Sequence, residues 1–366
     1  MSNIDFKKLG DYVKIRTGKL DANASSEDGS YPFFTCSIEP LKISSYSYDC
    51  ECCLVAGNGD LNVKYYNGKF DAYQRTYIIE SLNKEKLDVM YLYFFLSSYI
   101  EVLRKQSIGG VIKYIKLGNL TDALIPIPPL GKQKEICRNL IQSQKVLTTN
   151  QKLLSKYDIL IKSRFIEMFG TENDFSKWNC CFVEDVADVT VGVVIKPTQY
   201  YCEKGIPAFR SLNIGEMKVN DSDWVYFTEE GNEKNRKSIL KENDVLVVRS
   251  GAPGKSCVIT KKYEGYNVVD AIIAHPNLEK VNPVFLCMFT NMPHGMNQIK
   301  AKTGGAAQQH FNVGGYNSLK IILPPLSLQN DFAAFVHQID KSKFAVQKSL
   351  EKAETLYKSL MQEYFG

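Results

Sequence analysis

The chain has 366 residues, 44% of them apolar and 23% charged, and its 45 Lys and Arg against 40 Asp and Glu give a formal charge of +5. That length exceeds one ordinary core and predicts two domains, or three if a helical element is counted apart. The composition excludes global disorder, a fibrous repeat and a small disulfide-stapled fold, and mild basicity permits a nucleic-acid partner without requiring one.

Residues 1–8 lack the apolar core of a signal peptide and no run of 18 apolar residues occurs, so a soluble, cytoplasmic protein without a membrane partner is expected. Leu9-Gly10-Asp11-Tyr12-Val13, Gly18 and Tyr31-Pro32-Phe33-Phe34 open a first globular region. Residues 53–56 and 76–79 are short β-branched or aromatic runs near turn formers and read as strands, whereas 87–96 reads as a helix. Pro128-Pro129-Leu130 then ends a strand and opens a stretch with no proline or glycine from Lys132 to Phe169. As one helix it would run roughly 57 Å at 1.5 Å per residue, with Gly170 as its stop. After the polar joint at 170–174, residues 182–187, Gly192 and Ile206-Pro207-Ala208-Phe209 open a second region. Its strands are read at 244–248 and 256–259 and a helix at 283–289, before Pro324-Pro325-Leu326 opens a second long helix ending at Phe365-Gly366.

The two helices are copies. Residues 128–170 and 324–366 align without a gap at an offset of 196, and 16 of the 43 positions are identical, from the Pro-Pro to the Phe-Gly. The correspondence extends upstream to Gly109-Gly110 with Gly304-Gly305, Gly18 with Gly192, and residues 31–34 with 206–209. The first copy places Ile136, Leu140, Leu147, Leu154, Tyr157, Ile161, Phe165 and Met168 mostly at three- and four-residue steps, with Ser143 and Asn150 at the two missing positions. The second places Phe332, Val336, Ile339, Val346, Leu350, Ala353, Tyr357, Met361 and Tyr364 likewise, broken by Lys343. A seam near every 3.5 residues predicts a coiled coil whose polar interruptions set register, most simply the two helices paired antiparallel. The fold class is therefore α+β: two mixed α/β domains joined and spaced by two long paired helices, with pseudo-twofold organisation. The expected boundaries are 1–127, 128–170, 171–323 and 324–366.

Catalytic signatures fail one by one. Gly251-Ala252-Pro253-Gly254-Lys255-Ser256 resembles a phosphate loop, but Arg249 stands where its first glycine is needed. Gly57-Asn58-Gly59-Asp60 lacks the third glycine of a dinucleotide loop, and neither a zinc-protease helix nor a serine elbow is present. The ten cysteines form no C-x₂-C pair and only four histidines accompany them, so reduced, mostly buried thiols and no metal are expected. Residues 127–130 and 323–326 lack both the amide and the aromatic of an adenine-methyltransferase loop.

The duplicated Pro128-Pro129-Leu130-x-x-Gln133 and Pro324-Pro325-Leu326-x-x-Gln329 strings, the heptad-like helices, their Phe-Gly ends and a variable domain before each helix resemble the DNA-specificity subunit of type I restriction–modification systems over essentially the whole chain. That resemblance implies two target-recognition domains, each reading one half of a split, asymmetric double-stranded DNA sequence. It implies that the helices act as a ruler and as the docking surface for two modification (methyltransferase) subunits. Pro128, Pro129, Leu130, Gln133, Leu140, Leu147, Leu154, Ile161, Pro324, Pro325, Leu326, Gln329, Val336, Leu350 and Tyr357 would carry that role. Two restriction–translocation subunits complete the nuclease. S-adenosylmethionine belongs to the modification subunits, so this chain carries no cofactor, no metal and no catalysis of its own.

Side-chain chemistry supplies a modest DNA-binding kit. Lys64, Lys69, Arg75, Arg104, Lys105, Lys113 and Lys116 in the first domain suit phosphates, while Asn58 and Gln74 suit base edges. The second domain offers Arg210, Arg236, Arg249, Lys255, Lys300, Lys302, Gln308 and Gln309. Two other readings compete. A fused methyltransferase–nuclease would add hundreds of residues with visible motifs, and a helical interaction scaffold would not bind DNA at all. B-DNA advances about 3.4 Å per base pair, so a rigid helix pair fixes spacing: four residues inserted after Thr148 are expected to change the spacer between half-sites and not their sequences. A methylation assay on targets of graded spacer length checks this, and an unchanged spacer rejects it.

Overall fold

A computed structural model describes residues 6–303 and 310–366. The chain divides into two compact units, residues 1–152 with 347–366, and residues 153–346. In the first, the strand Phe6–Lys8 pairs antiparallel with Leu124–Pro126. A six-stranded sheet follows in the order Val13–Thr17, Thr76–Ser81, Tyr48–Ala56, Val63–Ala72, Tyr31–Phe34 and Leu41–Ile43. Period-two alternation gives the central strand two apolar faces. Cys53 and Val55 pack with Ile79 against the helix Val89–Gln106, while Cys52 and Leu54 face Phe34, Phe70 and Ile78.

The second unit repeats this plan. Cys180–Phe182 pairs with Lys320–Ile322, and the strands Ala187–Val191, Ala271–Pro276 and Val245–Val248 run in the order of their counterparts, flanked by Ser256–Val258. A separate four-stranded sheet carries Ile206–Phe209. The sequence match of residues 31–34 with 206–209 has a structural basis: each is the strand that pairs parallel within its unit, Phe33 opposite Asp71 and Ala208 opposite Asn267. Gly18 and Gly192 also correspond physically. A Cβ on either would lie 2.1 Å from the Ala72 carbonyl oxygen or 2.5 Å from that of Val268. The single helix Val89–Gln106 becomes two, Pro283–Asn291 and Pro293–Lys302, because Pro293 cannot supply a helical N–H. The strands and helices expected from sequence are present with somewhat longer or shorter ends. All ten cysteines are free thiols, five of them buried and Cys180 exposed.

The long helices are Leu130–Phe169 and Leu326–Phe365, 40 residues each. Gly170 ends the first in the left-handed conformation, φ 84°, that only glycine adopts without strain. Neither helix belongs to one unit. Ile136, Cys137 and Leu140 from the first helix enter the first unit's core, where Tyr357, Leu360, Met361, Tyr364 and Phe365 from the end of the second pack against it. In the second unit Ile161, Phe165 and Phe169 meet Phe332, Ala333, Val336 and Ile339. Phe169 lies 4.9 Å from Phe285 and 5.8 Å from Phe332, ring to ring.

The helices pair antiparallel in both units. Asn139 donates to the Tyr364 hydroxyl at 3.3 Å, Gln144 to that of Tyr357 at 3.0 Å and Asn150 to Ser349 Oγ at 3.0 Å. In the second unit Lys343 meets Asp158 at 2.6 Å. Asn150 and Lys343, two of the polar interruptions in the seam, thus make bonds that a shifted register would lose. Ser143, the third, does not: its buried hydroxyl has no hydrogen-bond partner among the described residues.

The repeated Pro-Pro-Leu-x-x-Gln opening is a latch. Gln133 is fully buried and donates to the carbonyls of Lys86 and Pro128, while its oxygen accepts from the Asp88 N–H at 2.9 Å. Asp88 is the cap of the helix Val89–Gln106 and accepts from Met90 and Tyr91. Gln329 repeats the arrangement, donating to the Pro324 carbonyl and accepting from Asn282, the cap of Pro283–Asn291. Each glutamine ties the start of a long helix to the cap of its neighbour. Replacing Gln133 by Ala removes the partner of three part-buried backbone groups and is expected to destabilise the protein by about 2 kcal/mol, with Gln329→Ala costing about the same. Urea unfolding of the two variants measures both losses.

Candidate nucleic-acid interface

One end of the first unit's sheet gathers five chain segments onto a shared rim. Gly57 N–H donates to the Arg75 carbonyl at 2.8 Å, and the Gly57 carbonyl accepts from Ile115 at 2.9 Å. Gly59 N–H donates to Lys113 O at 3.0 Å, Gln74 N–H to Leu20 O at 2.9 Å and Tyr73 N–H to Phe34 O at 2.9 Å. The loop backbones are thereby satisfied by one another, and their side chains stand on a fixed frame. Gln74, Arg75 and Lys113 are exposed, the Gln74 amide donating to Asp21 at 3.1 Å, and Asn58 is half-buried, its oxygen accepting from the Cys36 thiol. Four residues read from the sequence as DNA contacts therefore meet here. Lys64 stands behind them, half-buried against the Thr35 carbonyl, and burial pulls its amine below the usual lysine range.

Other expected contacts are occupied or elsewhere. Arg104 reaches the loop but binds Glu101 and Asp60, and its hydrogen bond to Glu101 raises its already high pKa. Lys69 sits opposite Asp49 near the far end of the hairpin, 4.7 Å over the Tyr46 ring. Lys105 and Lys116 are exposed, the latter directly after Ile115.

The corresponding rim of the second unit is built differently. Arg249 is only 16% exposed; its guanidinium holds Asp270 at 2.8 Å and donates from Nε to the Phe311 carbonyl at 3.1 Å. Arg249, expected from sequence as a DNA contact, is engaged within the fold through both of these bonds. Ser250 Oγ lies 2.9 Å from His310 Nδ1 and 3.4 Å from Asp270 Oδ2. Asp270 itself has φ 47°, a conformation unusual for a non-glycine residue. Arg210 is paired with Asp223 through both its carboxylate and its carbonyl. Lys255, Lys300 and Lys302 are exposed, Lys302 donating to Ser318, and Arg236 is exposed on a separate turn beside Glu233. Gln308 and Gln309 lie outside the described residues. Ser250, Asp270 and His310 were absent from the sequence reading because no local motif joins positions 20 and 60 residues apart.

Most of the helix residues expected to dock partners are buried or half-buried. Gln133, Gln329, Leu140, Ile161, Val336 and Leu350 are buried, as is Pro324, and Leu147, Leu154, Tyr357, Leu130, Leu326 and Pro128 are half-buried; Pro129 and Pro325 are exposed. The fully buried residues hold the helices to each other and to the cores. The apolar side chains left on the surface are others, among them Ile141, Val146 and Leu356 in the first unit and Ile159, Leu160 and Ile166 in the second. No helix among the described residues is long and apolar enough to cross a membrane.

Comparison with known proteins places these features. The family model described as type I restriction modification DNA specificity domain matches residues 1–156 and 175–354. The EcoDI specificity subunit of Escherichia coli is 41% identical over 139 residues, which is 37% of this chain and 31% of that relative. The MjaVIII specificity subunit of Methanocaldococcus jannaschii is 22% identical across 97% of this chain and 90% of its own length. Among solved structures, that of a type I restriction–modification S subunit from M. genitalium shares the fold with a TM-score of 0.67 at 14% identity, covering 100% of this chain and 97% of that one.

The two arginines offer a contrast. Arg249→Ala strips Asp270 and the Phe311 carbonyl of a largely buried partner and is expected to cost about 2 kcal/mol. Arg104→Ala removes exposed ion pairs and is expected to stay within about 0.5 kcal/mol of the parent. Denaturant titration of both variants tests the ranking, and equal losses reject it.

Proposed function

The chain belongs to the family of type I restriction–modification DNA specificity domains, and we propose that it is the sequence-reading, non-catalytic subunit of such a system, recognising a split and asymmetric double-stranded target. The observation that carries the reading is the pair of polar rims, one per unit, mounted on a duplicated backbone with different side chains. A split target needs two readers, and an asymmetric one needs readers that differ. In the first rim the exposed Arg75 and Lys113 serve phosphates, while Asn58 and Gln74 present amides of the kind that pair with base edges.

Two modification subunits dock on the long helices in this proposal, and two restriction–translocation subunits join in the full complex. The surface they use is the outward apolar side chains, Ile141, Val146 and Leu356 with their neighbours, because the seam residues are already buried. Adenine methylation and S-adenosylmethionine belong to those partners. The proposed domains are 1–127 and 171–323, with 128–170 and 324–366 as spacer helices.

Selection from random-sequence DNA, with the chain alone and then assembled with its cognate modification subunits, tests this. The assembled complex is expected to enrich a two-part consensus with a fixed gap; no enrichment in either state rejects the reading. Lys113→Ala is expected to weaken binding evenly across sequences and to reduce the log–log salt slope by about one, measured by titration at graded salt.

A further inference from the structure

The two rims can be aligned residue by residue from their backbone hydrogen bonds, without reference to sequence similarity. Phe34 O accepts from Tyr73 as Phe209 O accepts from Val269. Leu20 O accepts from Gln74 as Val193 O accepts from Asp270, and Gly57 O accepts from Ile115 as Arg249 O accepts from Phe311. Gly18 N–H meets Thr76 O where Gly192 N–H meets Ala271 O. Position 57 therefore corresponds to 249, 58 to 250, 74 to 270, 114 to 310 and 76 to 271. Arg75 has no counterpart.

That one missing residue explains Arg249. In the first unit Gly57 has no room for a side chain, since a Cβ would come within 2.3 Å of the Arg75 carbonyl oxygen. Its N–H bonds that same carbonyl and closes the loop. Without an equivalent of Arg75, the second unit has space at position 249, and the guanidinium closes the loop by holding Asp270 and the Phe311 carbonyl. The frame is kept while the latch changes from backbone to side chain.

We infer that positions 58, 74 and 114 of the first unit and 250, 270 and 310 of the second are the specificity-determining positions, with Arg249 as a positioning residue. This rests on the DNA-reading function proposed above. Every pair differs in hydrogen-bond character: Asn58 against Ser250, Gln74 against Asp270, Tyr114 against His310. The amides at 58 and 74 each spend one bond inside the fold, Asn58 accepting from Cys36 and Gln74 donating to Asp21, and each keeps a second N–H and a second lone pair, the pattern complementary to adenine. Asp270 is bonded on one oxygen by Arg249 and on the other by Ser250, and its half-exposed carboxylate keeps a second lone pair on each oxygen as an acceptor, the pattern complementary to the amino group of cytosine. The half-sites then differ in base content because the same backbone positions carry different chemistry.

The test is the methylated-site consensus of the complex assembled with modification subunits, read from a random-sequence library for the parent, Asn58→Ala, Ser250→Ala, His310→Ala and Arg249→Lys. Asn58→Ala is expected to relax one base position by roughly tenfold in one half-site only. Ser250→Ala and His310→Ala are expected to relax the other half-site alone, and the untouched half reports that each variant is folded. Arg249→Lys, unable to make both bonds, is expected to relax the Ser250 half and to leave the other unchanged. Unchanged consensus in all four variants, or equal loss in both halves, overturns the inference while the DNA-reading function stands. A parent complex with no consensus at all overturns that function as well.

Discussion

A 40-residue helix carrying an apolar seam is unstable alone in water, and that constraint organises the chain. Each long helix is latched at its start and buried at its end in a different core. Gln133 and Gln329, both fully buried, do the first, tying the opening turn to the cap of a neighbouring helix. Phe365 and Phe169 do the second, the former against Tyr91 and Phe95 and the latter against Phe285. Neither recognition region closes its core with its own segment alone. This is why the repeat keeps the Pro-Pro-Leu-x-x-Gln opening and the Phe-Gly end, where the helix meets a core.

The divergent regions follow the opposite rule. Their backbones retain the same crossings, including a parallel strand pair and a glycine pressed against a carbonyl, while side chains at the rim change freely. Buried polar residues at the parallel pairing show how much chemistry the frame tolerates. Asp71 accepts from Ser47 and from the Ala72 N–H, and Asn267 accepts from Ser238 and from the Val268 N–H. One position is a carboxylate and the other an amide, yet both accept a hydroxyl and the next backbone N–H. Backbone satisfaction is conserved because an unpaired buried group costs energy in any context; rim chemistry answers only to a ligand.

Much of this was legible in the sequence, for identifiable reasons. Helix length follows from the absence of proline and glycine, pairing from the seam period, and the duplication from an ungapped offset, all of which are one-dimensional signals. Even the register devices at Asn150 and Lys343 were visible as interruptions. The inward orientation of Gln133 was not, because its partners lie 45 and 47 residues away, in a cap that only folding brings near. The internal bonds of Arg249 were hidden for a related reason. An arginine beside a glycine-rich turn suits a phosphate, and only the long-range contacts to Asp270 and Phe311 reveal that it is engaged.

Those contacts also change the meaning of the mild net charge. Arg104, Arg210 and Arg249 each face a carboxylate, so part of the apparent DNA-binding charge is neutralised within the fold. At the first rim the exposed cations Arg75 and Lys113 stand beside neutral amides, and at the second the groups brought together are a hydroxyl, an imidazole and a carboxylate. Such surfaces bind phosphate weakly and discriminate hydrogen-bond patterns well, since discrimination comes from directional groups and bulk attraction from charge. A chain built this way gains little from indiscriminate affinity. Its +5 charge fits a reader whose grip on the backbone is shared with partners and whose own contribution is selectivity.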